Sequence, residues 1–439
     1  MNENVDVYKE VDVENALIDN EDYWDIGDSI FECVHCGGYF WYEERINKKL
    51  KSKRPEFSLG CHHGKINLPK PKEPPPILRQ LLFGSGPKSN QFKDNIRTYN
   101  SMFSFTSMGG KVNSSINQTR GSKTFTLPGQ NYHHIGSLLL PEGSTPKFAQ
   151  LYIYDTENEV QNRIHALSRG YSININHVEI VQDLKQMLDD QNVLTKSFKM
   201  VRYRFQEDSH TNVRLKLIGK RNYDGRRYNL PTVSEVAALV VGDFEVSLCD
   251  RDIVVNTQSG LLQRINELNA SYLALQYPLL FPYGEDGYRE DIVLNEKDEL
   301  SRGRKFISMR EFFSYKIQER NCEVQTIVNS KRLFQQFLVD AFTMIESSKL
   351  KYIRTNQKQL RVAMYKGLED AVLQGDIDPS SHGKRVILSS IFTGSERYVI
   401  QNYQDAMAIC EWAGYPDLFI TFTCNPRWTE FIRFLKSRS

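Results

Sequence analysis

Residues 33–41 read Cys33-Val34-His35-Cys36-Gly37-Gly38-Tyr39-Phe40-Trp41, and Cys61-His62-His63 follows after a polar insert. A C-x-x-C turn presents two thiolates to one metal ion, and a second turn adds two further ligands to complete a zinc tetrahedron. The metal closes a segment that cannot pack by itself. We therefore predict a structural zinc site, whose ligands are Cys33, Cys36, Cys61 and His63. His62 is the alternative to His63, and a reduced, metal-free cluster is the alternative to the site.

Charge is distributed unevenly around this segment. The chain of 439 residues has a formal net charge of only +2, but residues 1–32 hold eleven acidic residues and one lysine. Residues 44–97 hold thirteen basic residues against four acidic ones, a net charge of +9. An acidic stretch without apolar periodicity predicts a disordered tail over residues 1–30.

The basic segment suggests a nucleic-acid partner. Lysines and arginines beside the aromatic run 39–42 match what phosphate neutralisation and base stacking use, so we predict contacts to DNA. The predicted contact residues are Lys48, Lys49, Lys51, Lys53 and Arg54, with Arg427 near the other end of the sequence. A solvated charged loop over an aromatic mini-core is the alternative.

Several function classes are disfavoured by what the sequence lacks. No run of 18 apolar residues is present, so we expect no transmembrane helix and no membrane partner. Seven cysteines are few and odd in number, which predicts a reducing, intracellular compartment. The segment 84–89 has the composition of a phosphate loop, but the spacing is wrong and Pro87 lacks an amide donor. We therefore predict a turn there and no ATP site.

No catalytic residue is predicted. The nine histidines include no His-x-His pair, and the motifs H-E-x-x-H and G-x-S-x-G do not occur. The acidic residues show no spacing that singles out an acid/base couple.

The predicted fold class is α+β. We expect an acidic tail at 1–30, a zinc-knuckle-like basic module at 31–76, a mixed, β-rich domain at 77–307 and a helical region at 308–439. Prolines between residues 69 and 76 predict the first linker, and the turn cluster 282–287 predicts the second boundary. Predicted helices cover 77–99 with a break at 84–87, 157–167, 178–188 and much of the chain after 309. Predicted strands lie at 103–105, 148–154, 213–218, 237–244, 252–256 and 417–424.

Several further stretches resemble the N-terminal part of plant Helitron transposon proteins, the rolling-circle Rep–helicase polyproteins with a Helitron helicase-like domain. They are Thr98–Ser107, Tyr132–Leu139, Ala149–Asp155, Leu275–Gly284, Gln401–Met407 and Pro416–Trp428. The resemblance runs from about residue 31 onward, and it identifies 308–439 as a truncated Helitron helicase-like domain. It also implies a nuclear location.

The resemblance implies which part of the family's chemistry is present. The strand 419–425 resembles the first motif of a Rep endonuclease palm. In the family, a metal-binding His-hydrophobic-His strand, the tyrosine nucleophiles and an ATP-driven helicase come later, and the sequence stops before them. The family often has paired cysteines before Gly64. Gly60 replaces the first of that pair, so the resemblance requires His62 or His63 to supply a ligand.

Two functions from different classes follow. The first is a non-catalytic part of a Helitron-type transposon protein that binds single-stranded or junction DNA. The second is a structural or partner-binding fragment, or a truncated gene product, without DNA binding of its own. The sequence predicts neither the oligomeric state nor a DNA sequence preference.

Overall fold

The computed structural model describes residues 26–48, 54–109, 132–136, 140, 143–154, 158–167, 175–207, 213–218, 224, 230–241, 253–256, 263–295, 304–320, 323–357, 388–390 and 392–414. Some predicted features lie outside the described residues. They are most of the acidic tail, the strand at 417–424, and four basic residues (Lys49, Lys51, Lys53 and Arg427).

Helices and short strands both occur along the described chain, which confirms the α+β class. The helices are α1 (Pro76–Phe83), α2 (Pro87–Asp94), α3 (Ile96–Phe103), α4 (Glu159–Leu167), α5 (Ile175–Gln191), α6 (Val193–Glu207), α7 (Val233–Val236), α8 (Tyr272–Gln276), α9 (Met309–Ile317), α10 (Arg332–Thr355) and α11 (Glu396–Ala413). The strands are β1 (Phe31–Glu32), β2 (Tyr39–Phe40), β3 (Ser107–Gly109), β4 (Tyr132–Ile135), β5 (Val213–Leu217), β6 (Ala237–Val241), β7 (Ile253–Asn256) and β8 (Gln263–Arg264). Two 3₁₀ turns lie at Tyr42–Glu44 and Phe148–Tyr152.

Three consecutive helices follow the proline-rich segment. α1 and α2 each begin with a proline, at a position where an amide would have no intrahelical partner. Leu78, Leu81 and Leu82 form the buried face of α1. The Ser89 hydroxyl lies 2.7 Å from the carbonyl oxygens of both Leu81 and Gly84. The predicted break between the two helices is therefore a turn.

A buried ion pair lies among the helices that follow. Arg163 on α4 is fully buried and contacts Glu159 at 2.7 Å, and it donates to the carbonyl oxygen of Met102 over 2.5 Å. Its guanidinium lies 4.6 Å from the ring centroid of Phe103 and 4.3 Å from that of Tyr152. A buried charge is tolerated when it is paired and hydrogen-bonded. Arg163 therefore ties α4 to α3 and to the second 3₁₀ turn.

Two strands predicted in this region are wrong. Phe103 is the last residue of α3 and residues 104–105 follow it, and residues 148–152 form a 3₁₀ turn. Residues 151–153 are all buried, which a strand with one solvent face does not allow. The Tyr152 ring stacks on that of Phe105 with 4.3 Å between centroids, and its hydroxyl donates to the end of α3. Aromatic packing, rather than strand pairing, fixes this segment.

One of two three-stranded sheets in the described part of the chain, in the order β6-β5-β7, confirms the other strand predictions where they fall on described residues. β5 is its central strand, and it pairs antiparallel with β6 on one side and β7 on the other. Leu215 on β5 lies opposite Leu239 and Val255. Elsewhere, β4 pairs antiparallel with β8.

The chain divides into two compact units. The first comprises Met1–Ser107, His133–Phe334 and Asn425–Ser439, and the second comprises Met108–Tyr132 and Gln335–Cys424. The second unit includes α11, where the Ser395 hydroxyl caps the helix by accepting the Tyr398 amide over 3.1 Å. The domain bounds drawn from the sequence stay a prediction. Among the described residues, no helix has the length and apolar content needed to cross a membrane.

Candidate metal centre

The first turn of the cysteine cluster is built by Cys33 and its five following residues. The Cys33 amide donates to the Gly38 carbonyl over 2.8 Å, and the Gly37 amide donates back to the Cys33 carbonyl over 2.8 Å. Gly37 has a φ of +66°, which favours glycine. Strands β1 and β2 pair across this turn, with Phe31 opposite Phe40. The turn therefore presents both cysteines of the C-x-x-C motif at its tip.

The second turn has a comparable hydrogen bond. The Ile66 amide donates to the Cys61 carbonyl over 2.9 Å, and the Gly64 amide points at the Cys61 sulfur, 3.4 Å away. The backbone is left-handed at Gly60 and through 62–64. An amide directed at a sulfur favours the thiolate, the form that a metal requires.

The two turns bring three sulfurs together. The Sγ atoms of Cys33, Cys36 and Cys61 all lie within 4.8 Å of one another, and those of Cys33 and Cys61 are 3.7 Å apart. Zinc–sulfur bonds of about 2.3 Å in a tetrahedron place two sulfurs roughly 3.8 Å apart. The spacing therefore fits zinc, and Cys33, Cys36 and Cys61, three of the four residues predicted as ligands, lie in one cluster.

Hydrogen bonds among the three cysteines shift the pKa values of their thiols in different directions. The pKa of Cys33 is lowered, because Cys36 and then Cys61 donate hydrogen bonds to its sulfur. The pKa values of Cys36 and Cys61 are raised, because each keeps the proton it donates to Cys33. A bound metal cation would replace these protons and hold all three groups as thiolates.

The histidines lie beside the thiols but outside the group of three. His62 and His63 are both exposed, and Nδ1 of His62 is 3.8 Å from a carboxylate oxygen of Glu311. The ring of His63 lies edge-on to that of His35, with 6.3 Å between centroids. The structure therefore does not bring His63, the predicted fourth ligand, to the sulfurs. His35, which was not predicted as a ligand from the spacing of the motif, lies next to His63.

The cysteine cluster is hydrogen-bonded to residues 318–320, which directly follow α9. The Tyr39 amide donates to the Glu319 carbonyl over 2.9 Å, and Gln318 donates back to the Tyr39 carbonyl. Arg320 donates from Nε to the Cys36 carbonyl over 3.1 Å, and it lies opposite Gly38 in an antiparallel bridge. No pattern in the sequence signals this contact, because 279 to 284 residues separate the bonded partners.

The basic loop leaves the module between the two turns. The Ile46 amide donates to the Glu56 carbonyl over 2.8 Å and closes the base of the loop. Phe57 then stacks on Phe40 with 4.6 Å between centroids. Lys48 and Arg54, the described members of the predicted DNA-contacting set in this loop, are both exposed.

Arg45, at the base of the same loop, has a structural role. Its guanidinium lies 3.8 Å from the Tyr42 ring centroid and donates to the carbonyl oxygens of Tyr42 and Lys48. It is only 9% exposed. Arg45 therefore fixes the start of the loop.

Comparison with known families identifies part of the chain. Residues 312–439 match the family described as the Helitron helicase-like domain at the N-terminus. No curated protein matches the chain. Over these 128 residues, less than a third of the chain, the sequence is similar to a Helitron helicase-like N-terminal domain, as predicted. The match begins three residues after the start of α9, the helix that leads to Arg320.

Proposed function

We propose that the chain is the non-catalytic, DNA-binding part of a Helitron-type rolling-circle transposon protein. A zinc ion held by Cys33, Cys36, Cys61 and one histidine would fix the module, and the basic loop would contact the phosphates of single-stranded or junction DNA. The proposal includes a nuclear location, where a transposon protein meets its DNA.

One observation carries the proposal. The Ile46–Glu56 hydrogen bond closes a loop whose residues 47–55 include five basic side chains and no acidic one. Closing the loop keeps like charges near one another, which is electrostatically unfavourable. Contacts with DNA phosphates would offset this repulsion. Because the base of the loop lies between the two cysteine-bearing turns, a metal that joins these turns would also hold the base of the loop in place.

Zinc has a structural role in this proposal. The three thiolates and one imidazole complete its coordination and leave no position for a substrate. When bound, the ion supplies a fixed cross-link between the two turns, and it raises the stability of residues 31–68. No described residue is assigned a catalytic role.

The test is a comparison of two variants with equal loss of charge. Lys48→Ala/Arg54→Ala removes two positive charges from the loop, and Lys349→Ala/Lys351→Ala removes two exposed charges from α10. Binding of a fluorescent single-stranded oligonucleotide is measured over a series of salt concentrations. We expect the loop variant to bind more weakly, with a log–log salt slope shallower by about 1.4, and the α10 variant to be unchanged. Equal effects in both variants would refute a role of the loop and favour a structural or partner-binding fragment.

A further inference from the structure

An antiparallel pair of segments in the first unit exposes an apolar face. The Leu294 amide donates to the Lys305 carbonyl over 2.8 Å, and the Ile307 amide donates to the Ile292 carbonyl over 2.9 Å. Val293 lies opposite Phe306 between these two bonds. Side chains alternate along such a pair, so residues 292, 294 and 307 are buried, whereas Val293 is 37% and Phe306 is 47% exposed.

The second turn of the cysteine cluster borders this face. The Asn295 amide donates to the Lys65 carbonyl over 2.7 Å, which joins the turn to the segment that carries Val293. On the other side, Arg304 contacts Glu311 at 2.5 Å, and His62 lies 3.8 Å from the same carboxylate. The exposed aromatic ring and the metal centre are thus parts of one surface within this unit.

The exposed residues next to Phe306 in the sequence and in the bordering turn include three cations. Lys65 and Lys305 are exposed, and the Arg304 side chain is 53% exposed. Glu311, which pairs with Arg304, is 21% exposed and also accepts hydrogen bonds from the Ser308 amide and hydroxyl. An exposed ring among cations suits a base with its flanking phosphates, since the ring stacks on the base and the cations meet the backbone.

We propose that Phe306 is a base-stacking platform for single-stranded DNA, with Lys65 and with Arg304, which the alternation places on the same face as Phe306, in contact with the flanking phosphates. The inference rests on the proposed DNA-binding function and adds a second contact surface to the basic loop. The loop supplies charge alone among its described residues, whereas this face supplies an aromatic ring. Changes in the loop should therefore alter the salt dependence of DNA binding, whereas changes in this face should alter base stacking.

The experiment uses the full chain and a single-stranded oligonucleotide that contains the fluorescent base 2-aminopurine. Phe306→Ala should weaken binding roughly tenfold and reduce the quenching that stacking produces, with no change in salt slope because no charge is lost. Phe306→Tyr should keep both affinity and quenching. Phe83→Ala, a change of an aromatic residue that is 45% exposed on α1, should have no effect.

Two results would overturn the inference. If the wild-type chain binds with the expected salt dependence and Phe306→Ala binds equally well, the platform is wrong and the loop proposal stands. If the wild-type chain sediments as a dimer and Phe306→Ala as a monomer, the face joins two copies of the chain instead. Failure of the wild-type chain to bind at any salt concentration would instead refute the DNA-binding function on which the inference rests.

Discussion

Arg320 donates a hydrogen bond from Nε to the backbone oxygen of Cys36 over 3.1 Å. The same guanidinium donates to the carbonyl oxygens of Tyr315 and Gln318, and it lies 3.4 Å from a carboxylate oxygen of Glu323. Arg320 is 6% exposed. One side chain thus joins a thiol-bearing residue of the cysteine cluster to the segment that matches the Helitron helicase-like domain.

Removing this side chain should weaken both the fold and the metal site. Arg320→Ala leaves Glu323 buried without its cation, so we expect the free energy of unfolding to fall by about 3–5 kcal/mol. Because Arg320 positions the backbone of a ligand residue, zinc affinity should also fall by roughly tenfold or more. Chemical denaturation and competition with a chelator measure the two effects.

Arg79→Ala is the matched control. Arg79 is 57% exposed and pairs with Glu73, which is 71% exposed. Such a pair contributes little in water, and the change should stay within about 1 kcal/mol. Equal stability losses in the two variants would show that Arg320 has no special role.

The cysteine cluster should bind one zinc ion per chain. Cys33→Ser and Cys61→Ser each remove a buried ligand, and both should lose the metal, whereas Cys410→Ser on α11 should retain it. Chelation should speed hydrogen exchange over residues 31–68 while the three-stranded sheet around β5 stays protected. Metal analysis of the purified protein that finds no zinc would rule out the site.

His63 should be the fourth ligand. Nδ1 of His62 lies near the Glu311 carboxylate, whereas the His63 ring lies edge-on to His35, and His63 follows Cys61 by two residues. We expect His63→Ala to change the visible spectrum of the cobalt-substituted protein, because a nitrogen ligand is lost, and His62→Ala to leave it unchanged. A change in His35→Ala alone would assign the ligand to His35 instead.

A buried carboxyl group should make stability depend on pH. Burial raises the pKa of Glu285 from 4.5 to about 7, although the Glu285 and Tyr283 amides, Lys316 and Lys72 oppose the shift. Between these two values the folded chain holds a proton that the unfolded chain has released. The contribution of Glu285 to stability should therefore be complete below about pH 4.5 and be lost as pH rises to about 7, by an amount on the order of 3 kcal/mol.

Glu285→Gln isolates this effect from other titrating groups. The variant should show a flatter dependence of stability on pH between 4.5 and 7, as judged by denaturation at each pH. Glu179→Gln, at a carboxylate that is 54% exposed, should follow the wild-type curve. Parallel curves for Glu285→Gln and wild type would contradict a neutral Glu285 in the fold.

The sequence is sufficient to predict structural features that depend on the local pattern of residues. The C-x-x-C spacing and the lone Cys61 predicted three cysteines that lie together, because two short turns suffice to bring them into one cluster; that they bind metal stays a prediction. Helices α1, α4 and α5 follow from apolar periodicity. Residues 148–152 were wrongly predicted as part of a strand. The position of Tyr152 depends on packing against aromatic residues that are distant in the chain. The contact of Arg320 with Cys36 has the same origin, since no local signal marks a residue more than 280 positions away.

The affinity of the zinc-loaded, full-length chain for a single-stranded oligonucleotide, measured against salt concentration, tests the central claim most directly. Five basic residues in the loop predict tight binding at low salt and a log–log slope of about −3.5. Absence of binding at the lowest salt concentration, or an affinity that does not change with salt, would contradict the account.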